Sequence, residues 1–175
     1  MASFFSNFLH EREFCCIVGN TTSNYHYLEN DVPQGSVISV TLFLLAIDDI
    51  LNNCHKYVKA LLYADDLIIY CSGKKVSTIA NKIQKTIRKL ESWSNTSGFQ
   101  FHEGKTVAIK FFQRSKTPNN PIIKLYDKNI NFVDEYNFLG VTFDKKMTFK
   151  THIQNIKEEG IQRLPEDCKE ELSVR

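Results

Sequence analysis

Ala60-Leu61-Leu62-Tyr63-Ala64-Asp65-Asp66-Leu67-Ile68-Ile69-Tyr70 is the most informative stretch of this 175-residue chain. It places two adjacent carboxylates, Asp65 and Asp66, between two runs of apolar and aromatic residues. Such runs favour buried β-strands, so the pattern predicts a hairpin with both aspartates at its tight connection. Adjacent carboxylates repel each other, and a divalent cation that prefers oxygen ligands, such as Mg²⁺, would compensate their charge. A hydrated Asp-Asp turn without metal is the alternative, because a two-residue motif is easily matched by chance.

The composition is typical of one globular domain. With 42% hydrophobic residues and 13 phenylalanines, 175 residues can bury a core. The net charge of +2 does not indicate nucleic-acid binding by itself, so any basic surface must come from local clustering. The five cysteines are odd in number and lack Cys-x-x-Cys spacing, which argues against a zinc site and a disulfide framework. No signal peptide or membrane-spanning stretch is apparent, and we expect an intracellular location, either cytoplasmic or nuclear.

Two further motifs flank the aspartate pair. Val32-Pro33-Gln34-Gly35-Ser36 precedes it, with Pro33 thirty positions before Tyr63, and Tyr136-Asn137-Phe138-Leu139-Gly140-Val141 follows it. In this order, the motifs resemble the palm of a reverse transcriptase, most closely that of non-LTR (LINE-like) retrotransposons. The resemblance covers residues 5–164. It departs from the usual family pattern at Asp31, where glycine is usual, and at Val40, where proline is usual.

The resemblance implies an RNA-directed DNA polymerase that uses two Mg²⁺ or Mn²⁺ ions. Its partners would be an RNA template, a DNA primer and deoxynucleoside triphosphates. Asp65 and Asp66 would be the catalytic metal ligands. The residues implied near the nucleotide and template are Gln34, Gly35, Ser36, Tyr63 and Lys105. The residues implied in the primer grip are Phe138, Leu139 and Gly140. From the residues alone, Lys105 fits an exposed turn lysine equally well.

We expect an α+β fold in which helices cover an antiparallel palm sheet, as in a truncated right-hand polymerase. Residues 1–150 would form part of the palm, from after the first catalytic strand through the primer grip. Residues 151–175 would form the start of the thumb helix and a frayed tail. The family's first catalytic aspartate and its fingers precede the part that this chain resembles, so we expect the chain alone to be inactive. The alternatives are a non-catalytic remnant that binds nucleic acid or a partner chain, and a product without function.

Periodicity predicts the main helices and strands. Residues 36–52 are apolar on almost every side, which predicts a buried helix, and Asp48-Asp49 at its end is interpreted as structural. Residues 76–94 repeat apolar side chains every three or four positions, which predicts an amphipathic helix. Residues 136–143 read as one strand with Gly140 inside it. The polar face of the 76–94 helix carries four cations, Lys82, Lys85, Arg88 and Lys89. We interpret this face as a hydrated basic surface, and contact with a phosphate backbone is the alternative.

Overall fold

The computed structural model describes residues 2–28, 32–33, 35–112 and 119–163. Helices and short strands alternate along this part of the chain, so the α+β class is confirmed. The chain divides into two compact units. One comprises Met1–Asn52 with Tyr63–Asp66, and the other comprises Asn53–Leu62 with Leu67–Arg175.

The first unit begins with helix α1, Ala2–Leu9, on which the ring of Phe4 contacts those of Phe5 and Phe8 at centroid distances of 5.7 and 6.3 Å. Two nested antiparallel strand pairs follow, with β1 joined to β4 and β2 joined to β3. Their bounds are Glu13–Phe14 for β1, Ile17–Val18 for β2, Thr21–Thr22 for β3 and His26–Tyr27 for β4.

Helix α2, Val37–Ile47, is followed by a 3-10 helix, Asp48–Asn53. The expectation that this helix is buried is wrong, since only Ser39 and Ile47 of α2 are buried. Val37 is 88% exposed and Leu45 is 68% exposed. A helix that is hydrophobic on every side is buried only if other elements cover all of its sides. The described elements cover only part of the surface of α2.

Strands β5, Lys59–Tyr63, and β6, Asp66–Tyr70, form the predicted hairpin. Helix α3 then runs from Val76 to Ser97, close to its predicted bounds. It ends at Gly98, which has a φ of +80° and donates its N–H to the Ser94 carbonyl at 3.1 Å. Glycine at this position ends a helix without the steric cost of a Cβ.

The apolar stripe of α3 packs on strand β8, Lys124–Leu125, and on neighbouring residues of the second unit. The buried members of this core cluster are Ala80, Ile87, Ile123 and Leu125. Burying each larger aliphatic side chain contributes about 1.5–3 kcal/mol. Gln84 extends the contact, because its side-chain amide bonds both the N–H and the C=O of Lys124, at 2.7 and 2.9 Å.

The described strands form six two-stranded sheets rather than one antiparallel sheet. One of the pairs is parallel and joins β7, Val107–Ala108, to β10, Asn131–Phe132. Strand β8 pairs with β9, Lys128–Asn129, across a tight turn. Most of these strands are two residues long, so each pair makes few ladder hydrogen bonds. Strand β8 also packs against α3.

The chain then forms strands β11, Glu135–Phe138, and β12, Val141–Asp144, and helix α4, Lys150–Gln162. Helix α4 matches the helix predicted from residue 151. The predicted tail, residues 165–175, lies outside the described residues. No helix in the described part of the chain is long and apolar enough to cross a membrane.

Candidate nucleotidyl-transfer site

The aspartate pair lies at a hairpin tip, as predicted. Strand β5 ends at Tyr63 and β6 begins at Asp66, so Ala64 and Asp65 form a two-residue connection. Ala64 has a φ of +49°, and it is the only one of these two central residues with a positive φ. Glycine adopts a positive φ without steric cost, whereas alanine does so only with strain. Alanine in this left-handed region costs about 1 kcal/mol, so the turn holds its aspartates at a small backbone strain.

Both carboxylates and the side chain of Tyr63 are exposed. The hairpin arms, predicted to be buried, are instead exposed or half-buried, and Leu61 is among the exposed residues. Because water can hydrate both carboxylates, their mutual repulsion is screened, and the fold of the hairpin does not require a metal ion. Both aspartates are therefore accessible to a ligand, but the fold does not need one to compensate their charge.

The carboxylates of Asp65 and Asp66 suit a metal site in which water or substrate supplies the other ligands. No group of three or more His, Cys, Asp or Glu side chains within the described ranges could enclose a metal ion. Mg²⁺ commonly uses one or two protein carboxylates and keeps water or substrate phosphates as its other ligands. Asp65 and Asp66 suit such an ion, shared with a substrate, because both are carboxylates on one exposed tip.

The loop before α2 lies in the same compact unit as the hairpin tip. The N–H of Ser36 donates to the Pro33 carbonyl at 3.3 Å, and the buried Ser39 hydroxyl donates to the same oxygen at 2.5 Å. Gly35 has a φ of +89°, and a Cβ built there would meet no atom within 4 Å. Glycine is therefore required by the backbone conformation, and open space remains beside it. Gln34 lies outside the described residues.

Lys105 belongs to the second unit and is exposed. Its N–H donates to the carbonyl and to Nδ1 of His102, both at 3.1 Å. The hydroxyl of Thr106 donates to the same carbonyl at 2.9 Å. His102 thus organises the turn that carries Lys105.

The primer-grip residues predicted from the sequence form a hairpin tip rather than part of one strand. Strand β11 ends at Phe138, β12 begins at Val141, and the central residues Leu139 and Gly140 have φ values of +48° and +82°. Two positive φ angles define a type I′ turn, whose twist matches that of paired strands. The side-chain oxygen of Asn137 accepts the Gly140 N–H at 3.1 Å and closes this turn.

Asp144, which sequence reasoning did not single out, joins this hairpin to α4. It is buried, and one of its oxygens accepts the backbone N–H groups of Thr148 and Phe149 at 2.7 and 2.6 Å. Its other oxygen accepts the Lys146 N–H at 2.9 Å. Burial opposes ionisation, but these hydrogen bonds favour the carboxylate and lower the pKa of Asp144 below its ordinary value. The sequence signal for this turn was an aspartate, Asp144, with Thr148 four positions later and just before the predicted helix.

The chain matches a known family over most of its length. The family described as "Reverse transcriptase (RNA-dependent DNA polymerase)" matches residues 2–143. The RNA-directed DNA polymerase from mobile element jockey of Drosophila melanogaster is 27% identical over 87% of this chain and 17% of its own length. A probable RNA-directed DNA polymerase from transposon BS of the same species is 27% identical over 90% of this chain and 18% of its own length.

A third relative is the putative 115 kDa protein in type-1 retrotransposable element R1DM of Drosophila melanogaster. It is 25% identical over 72% of this chain and 12% of its own length. This chain thus spans less than a fifth of each of these three relatives. No solved structure gives a significant match. The matched residues 2–143 include the loop, the aspartate hairpin and the β11–β12 turn, and the chain belongs to the reverse transcriptase family, among those of LINE-like, non-LTR retrotransposons.

Proposed function

We propose that this chain is a segment of an RNA-directed DNA polymerase in which Asp65 and Asp66 ligate Mg²⁺ or Mn²⁺. The observation that carries the proposal is the presence, within one compact unit, of the exposed aspartate tip and the loop at Pro33, Gly35 and Ser36. These are two of the motifs on which the family resemblance depends. The substrates would be deoxynucleoside triphosphates, an RNA template and a DNA primer.

In the proposed reaction, the primer 3′-oxygen attacks the α-phosphorus of the nucleotide, and the bond to the pyrophosphate leaving group breaks. Bound divalent ions would promote deprotonation of the 3′-hydroxyl and stabilise the charge on pyrophosphate. The exposure of Asp65 and Asp66 leaves them accessible to such a substrate. The open space beside Gly35 admits a base or sugar close to the backbone.

The ammonium group of Lys105 would attract the triphosphate, because the side chain is exposed and opposite in charge. The tip at Phe138, Leu139 and Gly140 would contact the primer end. In the complete enzyme, residues 1–150 would contribute to an antiparallel palm sheet, and α4 would begin the thumb.

Metal binding tests the assignment of the aspartates. We expect the chain to bind Mn²⁺ weakly, because two carboxylates on one exposed tip provide only part of a coordination shell. Asp65→Asn/Asp66→Asn should abolish this binding, measured from the loss of the free-ion Mn²⁺ signal in electron paramagnetic resonance. Asp48→Asn/Asp49→Asn is the matched control, since it removes another adjacent aspartate pair. Equal Mn²⁺ binding by the wild type and the Asp65/Asp66 variant would contradict the metal site.

Primer extension tests the activity. Residues 2–143 would replace the corresponding segment of an active jockey-type polymerase, and extension would be measured on an RNA template. We expect extension by the chimera that is lost in Asp65→Asn/Asp66→Asn and retained in Asp48→Asn/Asp49→Asn. The unfused chain should give no extension, since no group of three or more metal-binding side chains within the described ranges could hold the ions that two-ion catalysis needs. A folded chimera no more active than its Asp65/Asp66 variant would favour the non-catalytic alternative.

A further inference from the structure

The connector between the 3-10 helix and β5 is held against α3. The hydroxyl of Thr86 accepts the His55 N–H at 3.2 Å and donates to the Lys82 carbonyl at 3.2 Å. Thr86 is completely buried, and Val58 at the end of the connector is 6% exposed. The connector therefore has a defined position on the surface of α3. All of these residues belong to the second unit.

Tyr57 projects from this connector and is 57% exposed. The ammonium nitrogen of Lys82 lies 4.5 Å from the centroid of its ring, and that of Lys56 lies 4.9 Å away. The His55 ring lies 5.5 Å from it, centroid to centroid. These distances are those of cation–π contacts, in which the ring holds ammonium groups near its own surface. An exposed aromatic ring is thus surrounded by cationic and polar groups.

Lys82, Lys85 and Lys89 are spaced three and four residues apart and share one face of α3. Burial raises the pKa of Cys54 in the connector, and Lys89 lies close enough to oppose part of this rise. In the described part of the chain, none of these lysines forms an ion pair with a carboxylate. Glu91, the one acidic residue of α3, accepts the Tyr126 N–H at 2.8 Å on another part of the unit.

We infer that these residues form a binding site for single-stranded nucleic acid. The site, named here the Tyr57 patch, consists of His55, Lys56, Tyr57, Lys82, Lys85 and Lys89. Proteins that bind single strands without sequence preference combine cations that follow the backbone with an aromatic ring on which an unpaired base stacks. The Tyr57 patch provides both features, and its lysines pair with no carboxylate among the described residues. A base would stack on Tyr57 by displacing one lysine side chain, whose ammonium group would then contact the neighbouring phosphate.

The Tyr57 patch shares no residue with the proposed catalytic set, so the two proposals can succeed or fail separately. An acidic protein surface could also attract the lysines, but it would gain nothing from an exposed ring suited to stacking. A duplex would likewise contact the lysines without using the ring, because its bases are already stacked. Single-stranded nucleic acid is the partner that accounts for all parts of the patch.

Fluorescence anisotropy with the full chain and labelled single-stranded RNA, single-stranded DNA and duplex RNA tests the inference. We expect Tyr57→Ala to weaken single-strand binding by roughly 5- to 150-fold, the loss of one stacked base. Tyr57→Phe, which keeps the ring, should bind as the wild type does. Tyr25→Ala, which removes an exposed tyrosine ring outside the patch and changes no charge, should also leave binding unchanged.

Salt dependence gives a second, independent measurement. Lys85→Gln/Lys89→Gln should shallow the slope of log affinity against log salt by about 0.7 for each phosphate that is no longer neutralised by a lysine. Lys124→Gln/Lys157→Gln removes the same charge from exposed lysines outside the patch and should leave this slope unchanged. Since all four lysines are exposed, the comparison does not depend on core stability.

Two results would overturn the inference. One is an equal salt slope in the two double lysine variants, which would show that only overall charge matters. The other is single-strand affinity that does not change in folded Tyr57→Ala, or binding of polyglutamate or duplex RNA as tight as that of the single strand. That result would assign the lysines to a general acidic partner or a duplex. A preference between single-stranded RNA and DNA would identify the natural strand and support the inference in either case.

Discussion

Replacing Thr86 by valine should release the connector that carries Tyr57 from α3. Valine keeps the shape of threonine but removes the oxygen that accepts the His55 N–H at 3.2 Å. Leaving this part-buried donor without a partner should cost about 1–3 kcal/mol. For a chain of this size, we expect the melting temperature to fall by about 2–4 °C for each kcal/mol, so by roughly 2–12 °C in total.

Thr86→Ser is the matched control, because it keeps the hydroxyl and removes one buried methyl group. That deletion should cost about 0.8 kcal/mol from reduced apolar burial. Helix propensity differs little among threonine, valine and serine, so it does not dominate the comparison.

Urea unfolding would give the free energies for both variants, and amide hydrogen exchange would locate the effect. Exchange at His55 should accelerate in Thr86→Val and stay slow in Thr86→Ser. If Thr86→Val showed neither a lower free energy of unfolding nor faster exchange at His55, the reasoning about this anchor would be refuted.

Two further predictions concern the turns. Because hydrogen bonds lower the pKa of Asp144 in the folded state, its carboxylate should contribute stability above the unfolded pKa of about 3.9, and this contribution should disappear as the pH falls through the lowered folded value. Asp144→Asn should therefore unfold at lower urea than the wild type at neutral pH, and the gap should narrow below about pH 4; a gap independent of pH would contradict the linkage. At the aspartate tip, Ala64→Val should lower the free energy of unfolding by about 1 kcal/mol, since a β-branched side chain tolerates a positive φ poorly. Ala64→Gly should not be less stable than Ala64→Val in the same urea titration, and the reverse order would contradict the positive φ at this position.

Local features were predicted well from the sequence. The spacing of apolar residues located α3 and its core face, and Gly98 marked its end. The apolar runs around Asp65 and Asp66 located the β5–β6 hairpin and its tip. These predictions succeeded because helix periodicity and turn formation depend on residues close together in the chain.

Predictions that depended on distant neighbours were less accurate. An apolar sequence does not show which elements cover α2, and the structure leaves much of this helix exposed. Residues 136–143 alternate as a strand would, yet Leu139 and Gly140 adopt positive φ angles and divide them into two strands. Asn137 closes that turn through its side chain, a contact that hydrophobic periodicity does not indicate.

The sequence by itself determined the family, the positions of Asp65 and Asp66, and the main amphipathic helix, since each depends on an ordered motif or a local repeat. Only the tertiary structure showed that His102 organises the Lys105 turn and that Asp144 holds the start of α4. It alone brought Tyr57 beside Lys82, twenty-five positions away in the chain. Such contacts depend on how the chain packs, because side chains distant in sequence meet only after helices and strands bury their apolar faces against one another.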